Sequence, residues 1–337
     1  MIIRSKAPFR VSFGGGGTDM PPYCIEHGGC VINTAIDRHV YISISPREDK
    51  KIRVFSIDYN KEVIFDIGDK NYSGEFELFK GVINVLHINE GFDIISYSEL
   101  PTGSGMGGSS SLCVALIGAF NEYYHLNFDK YDIAQIACDI ERIELNQKGG
   151  YQDQYAASYG GFNFIEFANI IKVIPIKATE EMLNELQYCL ILCFVGGSHF
   201  SSEIQHEVLK GYHIEKKSYM EAMQDLKDVS YSMKTIIESN DLDNLYKFGD
   251  LLHRGWLAKK SLSSKISNKH IENFYLTSRK FGVHGGKLLG AGGGGHLLLF
   301  SEPDKKYRVI QELEEIGGKI VNFHFNPNGL EVWKIKQ

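Results

Sequence analysis

The residues Pro101-Thr102-Gly103-Ser104-Gly105-Met106-Gly107-Gly108-Ser109-Ser110-Ser111 carry the means to hold phosphate. Glycine has no Cβ, so Gly103, Gly105, Gly107 and Gly108 let the backbone take left-handed angles and approach an anion closely. Residues 112–124 are apolar and helix-compatible, and a helix start aims unpaired N–H groups and the positive end of its dipole at the same volume. Ser109 and Ser110 at that start can cap the helix, bond a phosphate oxygen or ligate a magnesium ion. The spacing Gly103-x-Gly105-x-x-Gly108 also fits the dinucleotide fingerprint, with Glu122 at about the distance of a ribose-binding acid. Glu122 falls within the expected helix rather than at the end of the next strand, however, and Pro101 begins the loop too early for a tight strand-to-helix turn. No Gly-Lys-Ser/Thr follows the glycines, so this is not the common nucleotide-binding P-loop.

Further groups able to do chemistry lie on either side. Gly14-Gly15-Gly16-Gly17-Thr18-Asp19 ends a strand expected over 6–13. Four glycines in series are costly to order and point to close approach of backbone to a ligand at Gly16 and Gly17. Thr18 and Asp19 offer a hydroxyl and a carboxylate for sugar hydroxyls, the reading preferred over Asp19 as a plain turn cap before Pro21. Glu141 lies on the flank of a helix expected over 129–146, beside an apolar stripe of Ile133, Ile136, Ala137, Ile140 and Ile143. Gly149-Gly150-Tyr151-Gln152-Asp153-Gln154 follows and delivers an aspartate able to take a proton. Taken alone, Glu141 reads as a solvated face residue, Asp153 as a turn acid, and His199 in the polar loop 196–202 as a surface or packing histidine. A third glycine run, Gly290-Ala291-Gly292-Gly293-Gly294-Gly295, follows Lys287 and leads into a strand at 296–300.

The elements that must position these groups are mixed. Strands are expected at 31–44, 51–57, 62–65 and 92–97, with Val40, Ile42 and Ile44 alternating against Tyr41, Ser43 and Ser45. Helices are expected at 76–87, 109–124 and 129–146, and a hairpin at 161–176. A composition change near 177–185 marks a domain boundary, followed by a buried strand at 188–195, a broken helical region over 203–280, a helix at 305–316 and two strands at 320–325 and 330–335. There is no regular strand–helix alternation, so the fold class is α+β rather than doubly wound. A chain of 337 residues exceeds what one core usually supports. With 43% apolar and 23% charged residues it reads as an ordinary globular protein, and its net charge of −6 gives no general attraction to nucleic acid or acidic membranes. The start lacks an apolar signal core and the longest apolar run is far short of a membrane span, so a cytoplasmic location is expected. The six cysteines form no CxxC pair, and Cys113, Cys189 and Cys193 read as small core residues.

Three glycine loops in this order across almost the whole chain resemble those of the GHMP kinases, the superfamily of galactokinase, homoserine kinase, mevalonate kinase and phosphomevalonate kinase. The corresponding stretches are Pro8 to Asp19, Pro101 to Ser110, and Lys287 to Gly295. The resemblance implies a two-domain α+β architecture. Residues 1–180 would be like ribosomal protein S5 domain 2, residues 181–337 would be ferredoxin-like, and the site would lie between them. It also implies roles: Gly103, Gly105, Gly107, Gly108, Ser109 and Ser110 around the ATP phosphates, Ser109 and Glu141 on Mg²⁺, Asp153 as catalytic base, and Arg10 steadying the transferred phosphoryl group. Gly16, Gly17, Thr18, Asp19, Gly292, Gly293 and His199 would contact the acceptor.

Galactokinases place Glu-His where this chain has Gly16-Gly17, which argues against galactose. The phrases around Arg10 to Asp19, Gly149 to Gln154 and Gly160 to Glu166 look most like the D-glycero-D-manno-heptose 7-phosphate kinases, which use ATP to phosphorylate the anomeric C1 hydroxyl. An arginine expected in the loop 196–202 is replaced by His199, a weaker phosphate partner that Ser198, Ser201 and Ser202 would assist. The expected partner is thus a small-molecule sugar phosphate, with neither nucleic acid nor membrane; a homodimer is compatible with the sequence, which does not set the oligomeric state. The rival readings are a fucokinase-like enzyme acting on an unphosphorylated sugar, a catalytically silent binding module, and an NAD dehydrogenase.

Overall fold

The computed structural model describes every residue except 75, 198–200, 214–216 and 337. Its strands, in chain order, are β1 (Ile2–Gly14), β2 (Gly29–Arg47), β3 (Lys51–Ser56), β4 (Lys61–Asp66), β5 (Gly91–Ser98), β6 (Phe162–Phe167), β7 (Lys172–Pro175), β8 (Leu190–Gly196), β9 (Val283–Leu288), β10 (Gly295–Ser301), β11 (Lys319–Ile320) and β12 (Glu331–Ile335). The larger sheet runs β12-β1-β2-β5-β3-β4, with β6 and β7 added beyond the first half of β2. The smaller runs β11-β8-β10-β9. Among the described residues no helix is long and apolar enough to cross a membrane, and all six cysteines are buried free thiols.

Strand β2 is long because it serves two neighbours: Gly29 to Thr34 pair with β6, and Val40 to Arg47 with β5. The expected alternation is present, with Val40, Ile42 and Ile44 buried while Tyr41 stacks across the other face on Tyr97 at 6.1 Å. Against this sheet lies the helix Gly108–Tyr124, in which every residue from Cys113 to Phe120 is buried. A helix apolar on all sides belongs inside, and each large side chain so buried contributes about 1.5–3 kcal/mol. Two serines tie it to β1: Ser5 Oγ donates to the Ala115 carbonyl at 2.6 Å, and Ser111 Oγ to the Pro8 carbonyl at 2.8 Å. The start of this helix, and with it the second glycine loop, is therefore held at the end of β1 where Arg10 stands.

Three differences from the sequence reading bear on the site. The helix expected over 129–146 is α-helical only over Lys130–Asp139; Ile140–Glu144 is a π-helical turn, in which the Leu145 N–H bonds the Ile140 carbonyl at 2.9 Å. Such a widened turn rotates the side chains after it, and here it carries Glu141. Asp153 does not sit on a plain turn but in the first turn of a separate helix, Gln152–Tyr159. Finally, β12 pairs antiparallel with β1, from Ile335 opposite Ile2 to Glu331 opposite Lys6, so the residues after 330 join the larger sheet.

The long helix Tyr246–Leu262 packs on β9 through glycine. A Cβ added at Gly285 would lie 1.9 Å from the Gly249 carbonyl oxygen, whereas one at Gly255 would meet only the Val229 side chain at 3.4 Å. Gly285→Ala is therefore expected to lower the unfolding free energy by about 1–3 kcal/mol or more. Gly255→Ala, inside a helix, should be neutral or stabilising by up to about 1 kcal/mol. Urea midpoints of the two variants check both signs.

Candidate active site

Arg10 is the hub. It is 4% exposed, and its guanidinium reaches Asp153 Oδ1 from Nε at 2.7 Å and from Nη2 at 2.6 Å, while Nη1 donates to the Gly105 carbonyl at 2.9 Å. The Arg10 backbone N–H also bonds the Met106 carbonyl at 3.1 Å. One side chain thus joins the end of β1, the second glycine loop and the helix bearing Asp153. The loop passes beneath the carboxylate at Gly107, whose φ is 81°; a Cβ there would lie 3.3 Å from Asp153 Cγ and fill the space between loop and acid.

Beside this pair, Glu141 is 2% exposed and accepts hydrogen bonds on both oxygens. Ser109 Oγ bonds Oε1 and Ser110 Oγ bonds Oε2, each at 2.8 Å, and Gln154 Nε2 also donates to Oε2. No side chain caps the helix that starts here, so its dipole end and first-turn amides face the loop. One carboxylate with two hydroxyls, next to such a helix end, fits a hard oxygen-seeking cation bound together with phosphate.

Asp19 is fixed from the other side. Its Oδ1 accepts from the Gly17 N–H at 2.9 Å, and Oδ2 from the Gln152 backbone N–H at 3.1 Å and Gln152 Nε2 at 3.2 Å. The approach is so close that a Cβ at Gly150 would lie 1.9 Å from Asp19 Oδ2, which explains the glycine there. Arg10, Gly16, Gly17, Asp19 and Asp153 line one cleft, of about 110 Å³, and its far walls come from the second lobe.

Two expectations about the acceptor contacts need correction. Thr18 is fully buried, and its hydroxyl is spent on backbone: it lies 2.8 Å from the Gly15 carbonyl and 2.9 Å from the Cys30 carbonyl, and accepts from the Cys30 N–H at 3.1 Å. It shapes the loop and does not face the cleft. In the third loop it is Gly290 and Ala291 that line the cleft, not Gly292 and Gly293. Gly292 and Gly293 pack against Ile266 instead: the Gly293 N–H bonds the Ile266 carbonyl at 3.0 Å, and a Cβ at Gly292 would lie 2.7 Å from Ile266 Cα. The second and third loops meet backbone to backbone, since a Cβ at Gly290 would lie 2.6 Å from Gly105 Cα, and His296 Nδ1–H donates to the Ser104 carbonyl at 2.7 Å. His199 and Ser198 lie outside the described residues.

The sequence reading missed Gln154 and two lysines, Lys259 and Lys287, which line the cleft. Lys259 is 9% exposed and bonds the Gly290 carbonyl; Lys287 is 4% exposed and bonds the Ser12 carbonyl at 2.8 Å. Burial, and then the nearby Arg10 charge, hold the Lys259 ammonium down to about 8, against the opposing pull of Asp19 and Asp153. Burial and then Lys259 push Lys287 well below the ordinary lysine range. A signal existed for Lys259. It stands at the inward spacing of Leu252, Trp256 and Leu262 on one helix, where a lysine has no place unless it serves a site.

Known protein families and structures resemble this chain along most of its length. Residues 77–161 match the GHMP kinases N terminal domain and residues 233–319 the GHMP kinases C terminal domain. The chain is 36% identical to the D-glycero-alpha-D-manno-heptose 7-phosphate kinase of Campylobacter jejuni, over 99% of each chain. It is 26% identical to the bifunctional fucokinase/GDP-fucose pyrophosphorylase of Arabidopsis thaliana, over 92% of this chain and 31% of that one. The crystal structure of a D-glycero-D-manno-heptose 1-phosphate kinase from Bacteroides thetaiotaomicron superposes with a TM-score of 0.81 at 28% identity, over 99% of this chain and 100% of that one. With both lobes matched and a relative similar along its whole length, this protein belongs to the GHMP kinases, which are phosphotransferases acting on alcohol groups.

Proposed function

We propose that this chain is a cytoplasmic sugar 1-kinase. It transfers the terminal phosphoryl group of ATP to the anomeric C1 hydroxyl of D-glycero-D-manno-heptose 7-phosphate, giving the 1,7-bisphosphate for GDP-heptose and surface polysaccharide. The observation that carries this reading is the single fork of Arg10, which holds the Asp153 carboxylate and the Gly105 carbonyl of the phosphate-type loop at one point. A base beside a phosphate cradle, with a cleft for a polyol next to both, is the equipment of phosphoryl transfer to a hydroxyl. The whole-length similarity to a heptose 7-phosphate kinase, and the overall likeness to a heptose kinase structure, support heptose as the acceptor.

In this mechanism Asp19, fixed by the Gly17 and Gln152 donors, orients a sugar hydroxyl. Asp153 takes the proton of the C1 hydroxyl, and Arg10 keeps that carboxylate directed over the loop at Gly107. Amides of the second loop and the uncapped helix start offset phosphate charge. Magnesium, held by Ser109 and Glu141 together with ATP, supplies further charge neutralisation when bound. Gln154 steadies Glu141 from behind.

Three measurements test the reading. ³¹P NMR of a reaction with ATP and heptose 7-phosphate should show a new anomeric phosphate; phosphorylation of L-fucose but not of the heptose would favour the fucokinase-like alternative. Asp153→Asn should lower kcat by about 10²–10⁴ with ATP affinity kept, the scale of a lost general base. Gly150→Ala, which displaces Asp19, should raise the acceptor KM about tenfold or more with little change in the ATP KM, as expected for a disturbed charged hydrogen-bond set.

A further inference from the structure

The acceptor cleft carries more positive charge than the transfer chemistry accounts for. Four cations line it, Arg10, Arg142, Lys259 and Lys287, against two carboxylates, Asp19 and Asp153. Both acids are engaged: Asp153 is taken by Arg10, and Asp19 accepts from three N–H donors. Among the described residues neither lysine has a carboxylate within ion-pair distance, and each ammonium is bonded to one backbone carbonyl, Gly290 for Lys259 and Ser12 for Lys287. Each has two further N–H donors. A buried cation left without an anion is costly, and two together more so, in a chain whose overall charge is −6.

A second, independent feature lies on the same wall. Ser12 Oγ and Gln152 Oε1 are buried polar atoms without a hydrogen-bond partner, on residues 4% and 8% exposed that both line the cleft. Ser12 is the residue whose carbonyl accepts from the Lys287 ammonium, so that ammonium and an unpartnered hydroxyl meet at one residue. Ser109, Ser110 and Glu141 do not line this cleft, so the lysines share a wall with Gly16, Gly17 and Asp19 rather than with the nucleotide-side groups.

We propose that Lys259 and Lys287, together with the Ser12 hydroxyl, bind a phosphate monoester carried by the acceptor itself and so make the enzyme select phosphorylated over free sugar. The proposal deepens the sugar-phosphate reading above and rests on it. A phosphate monoester brings nearly two negative charges at neutral pH and three strong acceptor oxygens. That matches two uncompensated ammoniums and one free hydroxyl in number and kind, with charge-assisted hydrogen bonds as the means. Gln152 Oε1, an acceptor only, is left for a sugar hydroxyl near Asp19. Arg142 is the remaining candidate cation, but its fork is already turned onto protein: Nε and Nη2 donate to the Gly150 carbonyl at 3.2 and 2.8 Å, and Nη1 to the Gln147 carbonyl at 3.5 Å.

The test compares kcat/KM for D-glycero-D-manno-heptose 7-phosphate and for the same heptose without phosphate, at saturating ATP and Mg²⁺. The full chain is used as wild type and as Lys259→Met, Lys287→Met, Ser12→Ala and Arg142→Met, with melting temperature and ATP affinity measured on each. The wild type should prefer the phosphorylated sugar. Each lysine variant should lose about tenfold to a hundredfold with the phosphorylated sugar, through KM, and change little with the free sugar, the size of one lost charge-assisted hydrogen bond. Ser12→Ala, the mildest change, should lose about three- to tenfold in the same sense. An equal loss on both sugars would overturn the proposal and move the lysines to the transferred phosphoryl group. Unchanged preference in the lysine variants, or loss of preference in Arg142→Met alone, would also overturn it. If the wild type phosphorylates neither heptose, the sugar reading fails separately. Titration of the ADP-bound wild type and lysine variants with inorganic phosphate then decides the site: binding that the lysine variants lose supports it, and binding they keep, or none in the wild type, overturns it.

Discussion

The site depends on one guanidinium. Arg10 bonds Asp153 and the Gly105 carbonyl with three of its donors, and its own N–H holds Met106. That fork is where the glycine loop, the acid and the end of β1 are joined by one side chain. Because it is a planar group with its donors in fixed directions, the fork constrains the directions from which loop carbonyl and acid approach it. The burial of the helix Gly108–Tyr124 and its two serine ties to β1 then bring the loop within reach of the fork.

What could be read in the chain beforehand divides by physical cause. The loops were legible because glycine runs are local and have few other uses; in the structure Arg10 bonds Asp153, and Ser109 and Ser110 bond Glu141. Thr18 and Gly292–Gly293 were misread because a motif says which residues come near a ligand but not which way each one faces. Thr18 turns inward to bond the Cys30 backbone, and Gly292 supports Ile266. Lys259 and Lys287 escaped because a buried lysine has no local signature except its place in the apolar period of its helix or strand. The π-helical turn at Ile140–Glu144 is set by packing and hydrogen bonding and leaves no mark in residue types.

The dinucleotide fingerprint in the second loop shows how a short pattern misleads. Glu122, the acid at the expected spacing, lies on the partly exposed far end of the helix and pairs with Lys334 at 2.6 Å, remote in role from any ribose. The same Gly-x-Gly-x-x-Gly spacing here serves another purpose, for Gly105 passes the third loop at Leu289 and Gly108 clears the Phe9 ring. Spacing alone describes a chain that must bend tightly; the neighbours decide what it bends around.

The pairing of β12 with β1 has a bearing on how this molecule is made in the cell. During synthesis one edge of the larger sheet stays open at Ile2 to Lys6 while more than three hundred further residues emerge, because the strand that covers it is Glu331–Ile335. An uncovered edge is a template for the wrong partner, and domains that can close early usually do so on the ribosome. The larger sheet cannot close on its first strand alone, so the nascent chain carries an unguarded edge until Glu331–Ile335 has emerged.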